Sequence, residues 1–117
     1  MSNIDTRAAI AAAASTVDGV TCTPNYRQSL SPGDAFVRLD RRARSENGYG
    51  YMDTWQVWLA LPQDQASAET WLDTNIDALT AALSAEIVVT AITPAELVPG
   101  PTPVNGVIFE GAREDSN

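Results

Sequence analysis

The sequence contains no histidine and no lysine, and its one cysteine is Cys22. Without histidine the chain lacks the side chain that most often moves protons near neutral pH and most often binds metals. A Ser–His–Asp or Cys–His nucleophile cannot be built within it, and neither can a Cys–His zinc site. A single cysteine forms no internal disulfide, which is compatible with a reducing cytoplasm. Cys22 reads as a small buried side chain rather than a nucleophile. No glycine-rich segment precedes a helix carrying a lysine, so Gly48-Tyr49-Gly50 reads as a turn and not as a phosphate loop. Long hydrophobic runs are missing too. The longest, residues 8–14, is alanine-rich and far too short to span a bilayer. No basic region followed by an apolar stretch and a cleavage site occurs, so no secretory signal is predicted. Positive charge is scarce: seven arginines face fifteen acids, for a net charge of −8. Such a surface disfavours nonspecific contact with DNA and with anionic membranes. These absences predict no enzyme: no catalytic residue, no cofactor and no metal.

What is present fits one ordinary globular domain of 117 residues, 44% hydrophobic and 19% charged. The alanine-rich opening predicts a thin first helix with Ser2 or Asn3 as its cap. Ile4, Ala8, Ala11 and Ser15 mark one side of it, with Ile10, Ala14 and Val17 beside them, and Asp18-Gly19 stops it. A short strand over 20–23 and a polar loop over 25–33 follow. Residues 35–44 and 49–61 flank Ser45-Glu46-Asn47-Gly48, a strong hairpin signal. In the second arm Tyr51, Trp55, Val57, Leu59 and Leu61 share one face, and Gly50, Met52, Thr54, Gln56, Trp58 and Ala60 the other. The arms are long enough that the hairpin tip is expected to project beyond the body. A second helix is predicted over 65–84, with Leu72, Ile76, Leu79 and Leu83 as its core stripe and Thr80 on its outer face. A strand over 87–93 ends at Pro94, residues 99–103 form a stiff loop, and a last strand covers 107–112. The expected fold is α+β in the order α-β-β-β-α-β-β, with a mainly antiparallel sheet and both helices on one face. It is a single domain over 1–112, with 113–117 a frayed tail.

Two charge patterns stand out. Glu69, Asp73 and Asp77 follow one another at i, i+4 and i+8 on a helix with no basic residue. Like charges at that spacing oppose the helix by about 0.2–0.5 kcal/mol per pair. They read either as a solvated face or as a surface that takes its cations from a partner's arginines or a divalent metal. The counterpart is Arg38, Arg41, Arg42 and Arg44. Window 38–44 holds four arginines and one acid, so it is +3, while the remainder holds three arginines and fourteen acids, −11. The planar guanidinium pairs bidentately with carboxylates, which suits self-association. A soluble hairpin tip that resists edge aggregation is the alternative, and contact with phosphate ranks below both. Trp71, with Asn75, Ala78 and Ala82, reads as a widened core face or as the anchor of a subunit contact, and Trp58 poses the same choice. The candidate subunit-interface residues are therefore Arg38, Arg41, Arg42, Arg44, Trp58, Glu69, Trp71, Asp73 and Asp77. The hypothesis is that the hairpin arginines of one copy meet the acidic helix of its neighbour.

Ordered features along residues 3–112 resemble a known family. An alanine-rich helix leads into Asp18-Gly19-Val20-Thr21, and a Ser31-Pro32-Gly33-Asp34-Ala35 turn enters the arginine-rich strand. Gly48-Tyr49-Gly50-Tyr51 opens a strand reading Thr54-Trp55-Gln56-Val57-Trp58. Leu61-Pro62-Gln63-Asp64 starts the Trp71 helix, and Ile92-Thr93-Pro94-Ala95-Glu96-Leu97 follows the fourth strand. This pattern resembles the tail terminator proteins of long non-contractile-tailed phages, in the small form found in phages of actinobacteria. The resemblance implies a virion structural protein at the head-proximal end of the tail, assembled in the host cytoplasm. It would form a homohexameric ring that caps the tail tube, stops its polymerisation and serves head–tail joining. Its implied partners are copies of itself, the tail tube protein and a head-completion or neck protein, with no membrane. DNA would pass through the lumen without sequence-specific binding. Two alternatives stand beside it: another neck component such as a connector or stopper, and an acidic inhibitor that mimics DNA.

Overall fold

A computed structural model describes residues 3–27, 29–44, 48, 50–100 and 103–115. The elements run α1 (Asn3–Ala14), β1 (Thr21–Thr23), β2 (Asp34–Arg44), β3 (Tyr51–Ala60), α2 (Gln65–Leu83), β4 (Val88–Leu97) and β5 (Val104–Asp115). The order is α-β-β-β-α-β-β, an α+β fold. The five strands form one sheet in the order β1-β2-β3-β5-β4. Only β1 pairs in parallel, with β2, and the remaining pairs are antiparallel.

Alternation along the strands makes two faces. Ala35, Val37, Trp55, Val57, Leu59, Val107 and Phe109 point to one side. There they meet Ile10, Ala11 and Ala14 of α1 and Ala68, Leu72, Leu79 and Leu83 of α2. Both helices therefore cover the same face. The other face carries a smaller cluster of Leu30, Phe36, Ala60 and Leu97, with Trp58, Ala95, Val104 and Ile108 packed against it. The helix-two stripe is core, although Ile76 is only half-buried. Thr80 is not on the outer face: it is half-buried, and its hydroxyl donates to the Ile76 carbonyl. The start of α2 is fixed by Asp64, whose carboxylate accepts from the Ser67 backbone N–H and hydroxyl, each at 3.0 Å.

Three of the sequence expectations about the elements are corrected. The buried side of α1 is Thr6, Ile10, Ala11 and Ala14, while Ile4 stands 79% exposed and Ala8 and Ser15 face solvent. Arg7 helps to fix this rotation, donating to the Val37 carbonyl at 2.9 Å and lying over Trp55. Second, β4 does not stop at Pro94 but runs through it to Leu97. It is the edge strand, where a missing N–H can face away from the ladder. Third, β5 continues to Asp115 opposite Tyr51, so residues 113–115 belong to the sheet and not to a frayed tail. Arg113 is tied there by Glu86 at 2.9 Å. The hairpin arms stay within the sheet, while the tip expected to project lies outside the described residues. β5 accompanies β3 as far as Tyr51, and Asn3 of α1 bonds Arg42 beside them. The turn proposed at 45–48 lies outside the described residues except for Gly48, as do Tyr49 and part of the 99–103 loop.

One junction needs glycine. Gly33 has φ +92, and a Cβ there would overlap the Gly19 carbonyl oxygen. The Thr21 N–H bonds the Gly33 carbonyl and the Gly33 N–H bonds the Ala60 carbonyl, each at 2.9 Å, which seats β1 beside β2.

Candidate assembly interface

The arginine-rich window does not form one patch. The β2–β3 register shifts between Leu39 and Arg41, so Asp40 is an extra residue on β2. After this bulge Arg41 stands opposite Thr54 and Arg42 opposite Asp53. The alternation then puts Arg38 and Arg41 on the helix-free face and Arg42 on the helix-covered face, as it does Arg44, opposite Tyr51.

Arg42 is bound within its own chain. Its Nε donates to Asp53 Oδ1 at 2.7 Å and its Nη2 to Asp53 Oδ2 at 2.8 Å. The same Nη2 reaches Asn3 Oδ1 at 3.0 Å. Asp53 is 2% exposed, so this bidentate pair supplies the counter-charge that a buried carboxylate needs. Arg42 and Arg44 both lie over the Tyr51 ring, at 4.8 and 5.0 Å from its centroid. Arg44 also donates toward the Tyr51 hydroxyl at 3.4 Å. The expectation that Arg42 reaches out to a neighbour is therefore corrected: it neutralises Asp53. Sequence reasoning passed over Asp53. Its odd-numbered place in the series with Tyr51, Trp55, Val57 and Leu59 was the available signal, because a lone acid on a buried face requires a partner.

The helix-free face holds the other two arginines. Arg38 lies 5.0 Å over Trp58, whose Nε1–H donates to Gln56 Oε1 at 2.9 Å. Trp58 packs on Phe36 at 5.4 Å between ring centroids, and Tyr26 covers Phe36 from the other side at 5.0 Å. Trp58 remains half-buried. Arg41 is exposed and makes no ion pair among the described residues.

On α2, Glu69, Asp73 and Asp77 are all exposed. Glu69 accepts from Gln65 at 3.2 Å. Among the described residues no cation pairs with any of the three, so the structure does not bring this row and the arginines together within one chain. Trp71 is half-buried against the main core, and its carbonyl accepts from Asn75 Nδ2 at 2.8 Å. It is thus a flank of the core whose outer edge lines a shallow depression with Pro62, Thr70 and Thr74. Cys22 is buried, and burial pushes its thiol up to about 12, away from nucleophilic chemistry.

Among the described residues no group of three or more Cys, Asp or Glu side chains is placed to hold a metal ion, and no helix is long and apolar enough to cross a membrane. No family model matches the chain, and no curated protein matches it.

Proposed function

We propose that this chain is a structural subunit that assembles with copies of itself into a ring, as the tail terminator of a long non-contractile phage tail. The observation that carries self-assembly is the helix-free side of the sheet, where Trp58 and Ile108 stay half-buried and Arg38 and Arg41 have no acidic partner among the described residues. The tail-terminator assignment is supported by the ordered sequence motifs across residues 3–112. In this role the ring ends the tail tube and offers its far side to a head-completion protein. The chain's net charge of −8 would keep the ring from gripping DNA that passes through it.

The test is the purified full chain, examined by light scattering and negative-stain imaging and then added to polymerising tail tube protein. Closed rings that halt tube growth are the expected result. Rings that leave tube growth unchanged would favour another neck component. A chain that stays monomeric at every concentration and inhibits a DNA-binding enzyme would favour the DNA mimic.

A further inference from the structure

We infer that the contact between copies is helix on sheet: α2 of one copy seats its acidic outer face on the helix-free sheet face of the next, with Asp73 and Asp77 against Arg38 and Arg41. This rests on the self-assembly reading above and specifies the surfaces it uses.

The sheet edges are poor candidates for joining copies. At one edge the three-residue β1 covers only the start of β2, so a continuous sheet would require β1 or the rest of β2 of one copy to pair with β4 of another, or like edges to pair with each other. The bulge at Asp40 interrupts β2, a second bulge at Thr90 interrupts β4, and Pro94 removes a donor from β4. Bulges, proline and charge are the devices that protect edge strands from pairing. The face is more open. Across β2-β3-β5-β4 its rows read Phe36-Trp58-Ile108-Thr93, then Arg38-Gln56-Glu110-Ala91, then Arg41-Thr54-Ala112-Val88. The first row is apolar except for Thr93 and is partly covered by Tyr26 and Leu30. The next two carry no helix, and Val88 is 71% exposed.

Charge complementarity selects the occupant. On this face the cations lie on β2 and the acids Glu110 and Glu114 on β5, so an acidic element is drawn to the β2–β3 half. The outward side of α2 is such an element. Asp73 and Asp77 have no cation among the described residues, and Thr70, Thr74, Ala78 and Ala81 around them are small and exposed. Small side chains let a helix approach a sheet closely. Spacing agrees as well. Carboxylates four residues apart on a helix are separated by about 6 Å along its axis. Arg38 and Arg41 are three residues apart on a strand that rises ~3.3 Å per residue, less at the bulge. Two guanidinium groups on flexible stems can therefore engage adjacent turns of one helix. Because the helix and the bare face lie on opposite sides of the layer, the contact is head-to-tail. Head-to-tail contacts give rings when the rotation closes and filaments when it does not.

The test uses charge reversal in the full chain, with mass by light scattering at low and high salt and folding checked by thermal unfolding. Arg38→Glu with Arg41→Glu, and separately Asp73→Arg with Asp77→Arg, should each weaken assembly by about tenfold or more at low salt. The quadruple variant should recover it, and so should an equimolar mixture of the two double variants, because every contact in an alternating ring is then complementary. Arg44→Glu should leave assembly unchanged. As a second measurement, Arg41→Cys and Asp77→Cys copies, mixed, should form an intermolecular disulfide while Cys22 stays buried. A wild-type chain that remains monomeric overturns the ring reading itself. A wild-type ring that is insensitive to both double reversals overturns the helix-on-sheet contact alone. Reversals that weaken assembly without recovery in the quadruple variant, and without the cross-link, also overturn it, because they place the acidic partner elsewhere.

Discussion

The two faces of the sheet are made from alternate residues of the same strands, yet they are built to different ends. On the covered face, Trp55 is fully buried among side chains from both helices, and its neighbours Val57, Leu59 and Phe109 are buried with it. On the bare face, Trp58 is half-buried and is roofed by Arg38 and Gln56 instead of a helix. The arginines divide in the same way. Arg42 is held by a buried carboxylate, whereas Arg41, its neighbour in sequence, reaches solvent on the other side. A run of like charges in a strand is therefore not one surface. A single bulge decides which members are structural and which remain available to a partner.

Removing Arg42 is expected to break the covered face severely. Arg42→Ala leaves Asp53 buried without its counter-ion and should cost about 3 kcal/mol, the low end of the range for buried pairs, because the guanidinium is 34% exposed. Arg41→Ala should change stability by less than about 0.5 kcal/mol. Urea unfolding of the two variants measures the difference directly. Equal losses from Arg41→Ala and Arg42→Ala would show that the bulge does not separate them.

The tryptophans sharpen the comparison with costs that differ between the two faces. Trp55→Ala should destabilise by about 3–5 kcal/mol. Trp55→Phe should cost much less, because it keeps a ring and removes an Nε1–H that is buried without a hydrogen-bond partner among the described residues. Trp58→Ala should cost less, about 1–2 kcal/mol, since the ring is already partly in water. Its larger effect should fall on assembly. Thermal unfolding and light scattering on the same samples separate the two, and a Trp58 variant that assembles normally would show that the bare face is not the contact.

Much of this arrangement was legible in the sequence, and the failures share a cause. Parity along 51–61 divided β3 between its faces correctly, and leucine spacing picked out the buried stripe of α2, because periodicity is a local property. The rotation of α1 was not legible, because a run of alanines offers no contrast between sides. The end of the fourth strand was misread because Pro94 breaks an interior strand but not an edge strand, and strand order is not written locally. The bulge at Asp40 was invisible for the same reason: it exists only relative to β3. A count of arginines in window 38–44 therefore suggested a single patch where the fold makes two. The residues offered as an interface were thus a mixture, with Arg38, Arg41, Asp73 and Asp77 exposed, Trp58 half-covered, Trp71 a flank of the core and Arg42 committed to Asp53.

The smallest expected effect lies at the first turn of α2, where the covered face receives its second helix. Asp64 is fully exposed and contributes no burial, so it acts only through the hydrogen bonds that it accepts from Ser67. The backbone bond is the larger cause and the hydroxyl bond the second, and together they hold the Asp64 carboxyl below its usual value. A carboxyl whose folded pKa is depressed contributes stability that is fully present above the unfolded pKa and lost as pH falls through the folded one. Asp64→Ala should therefore lower stability at neutral pH and flatten the acid limb of the stability profile below about pH 4. Asp77→Ala, on the exposed side of the same helix, should change stability at neutral pH by less than about 0.5 kcal/mol. If the two variants give superimposable pH profiles, the start of α2 is set by packing of Ala68 and Leu72 against the sheet and the cap is incidental. If only Asp64→Ala loses the acid dependence, the helix that covers one face begins where its first free backbone N–H groups find a carboxylate.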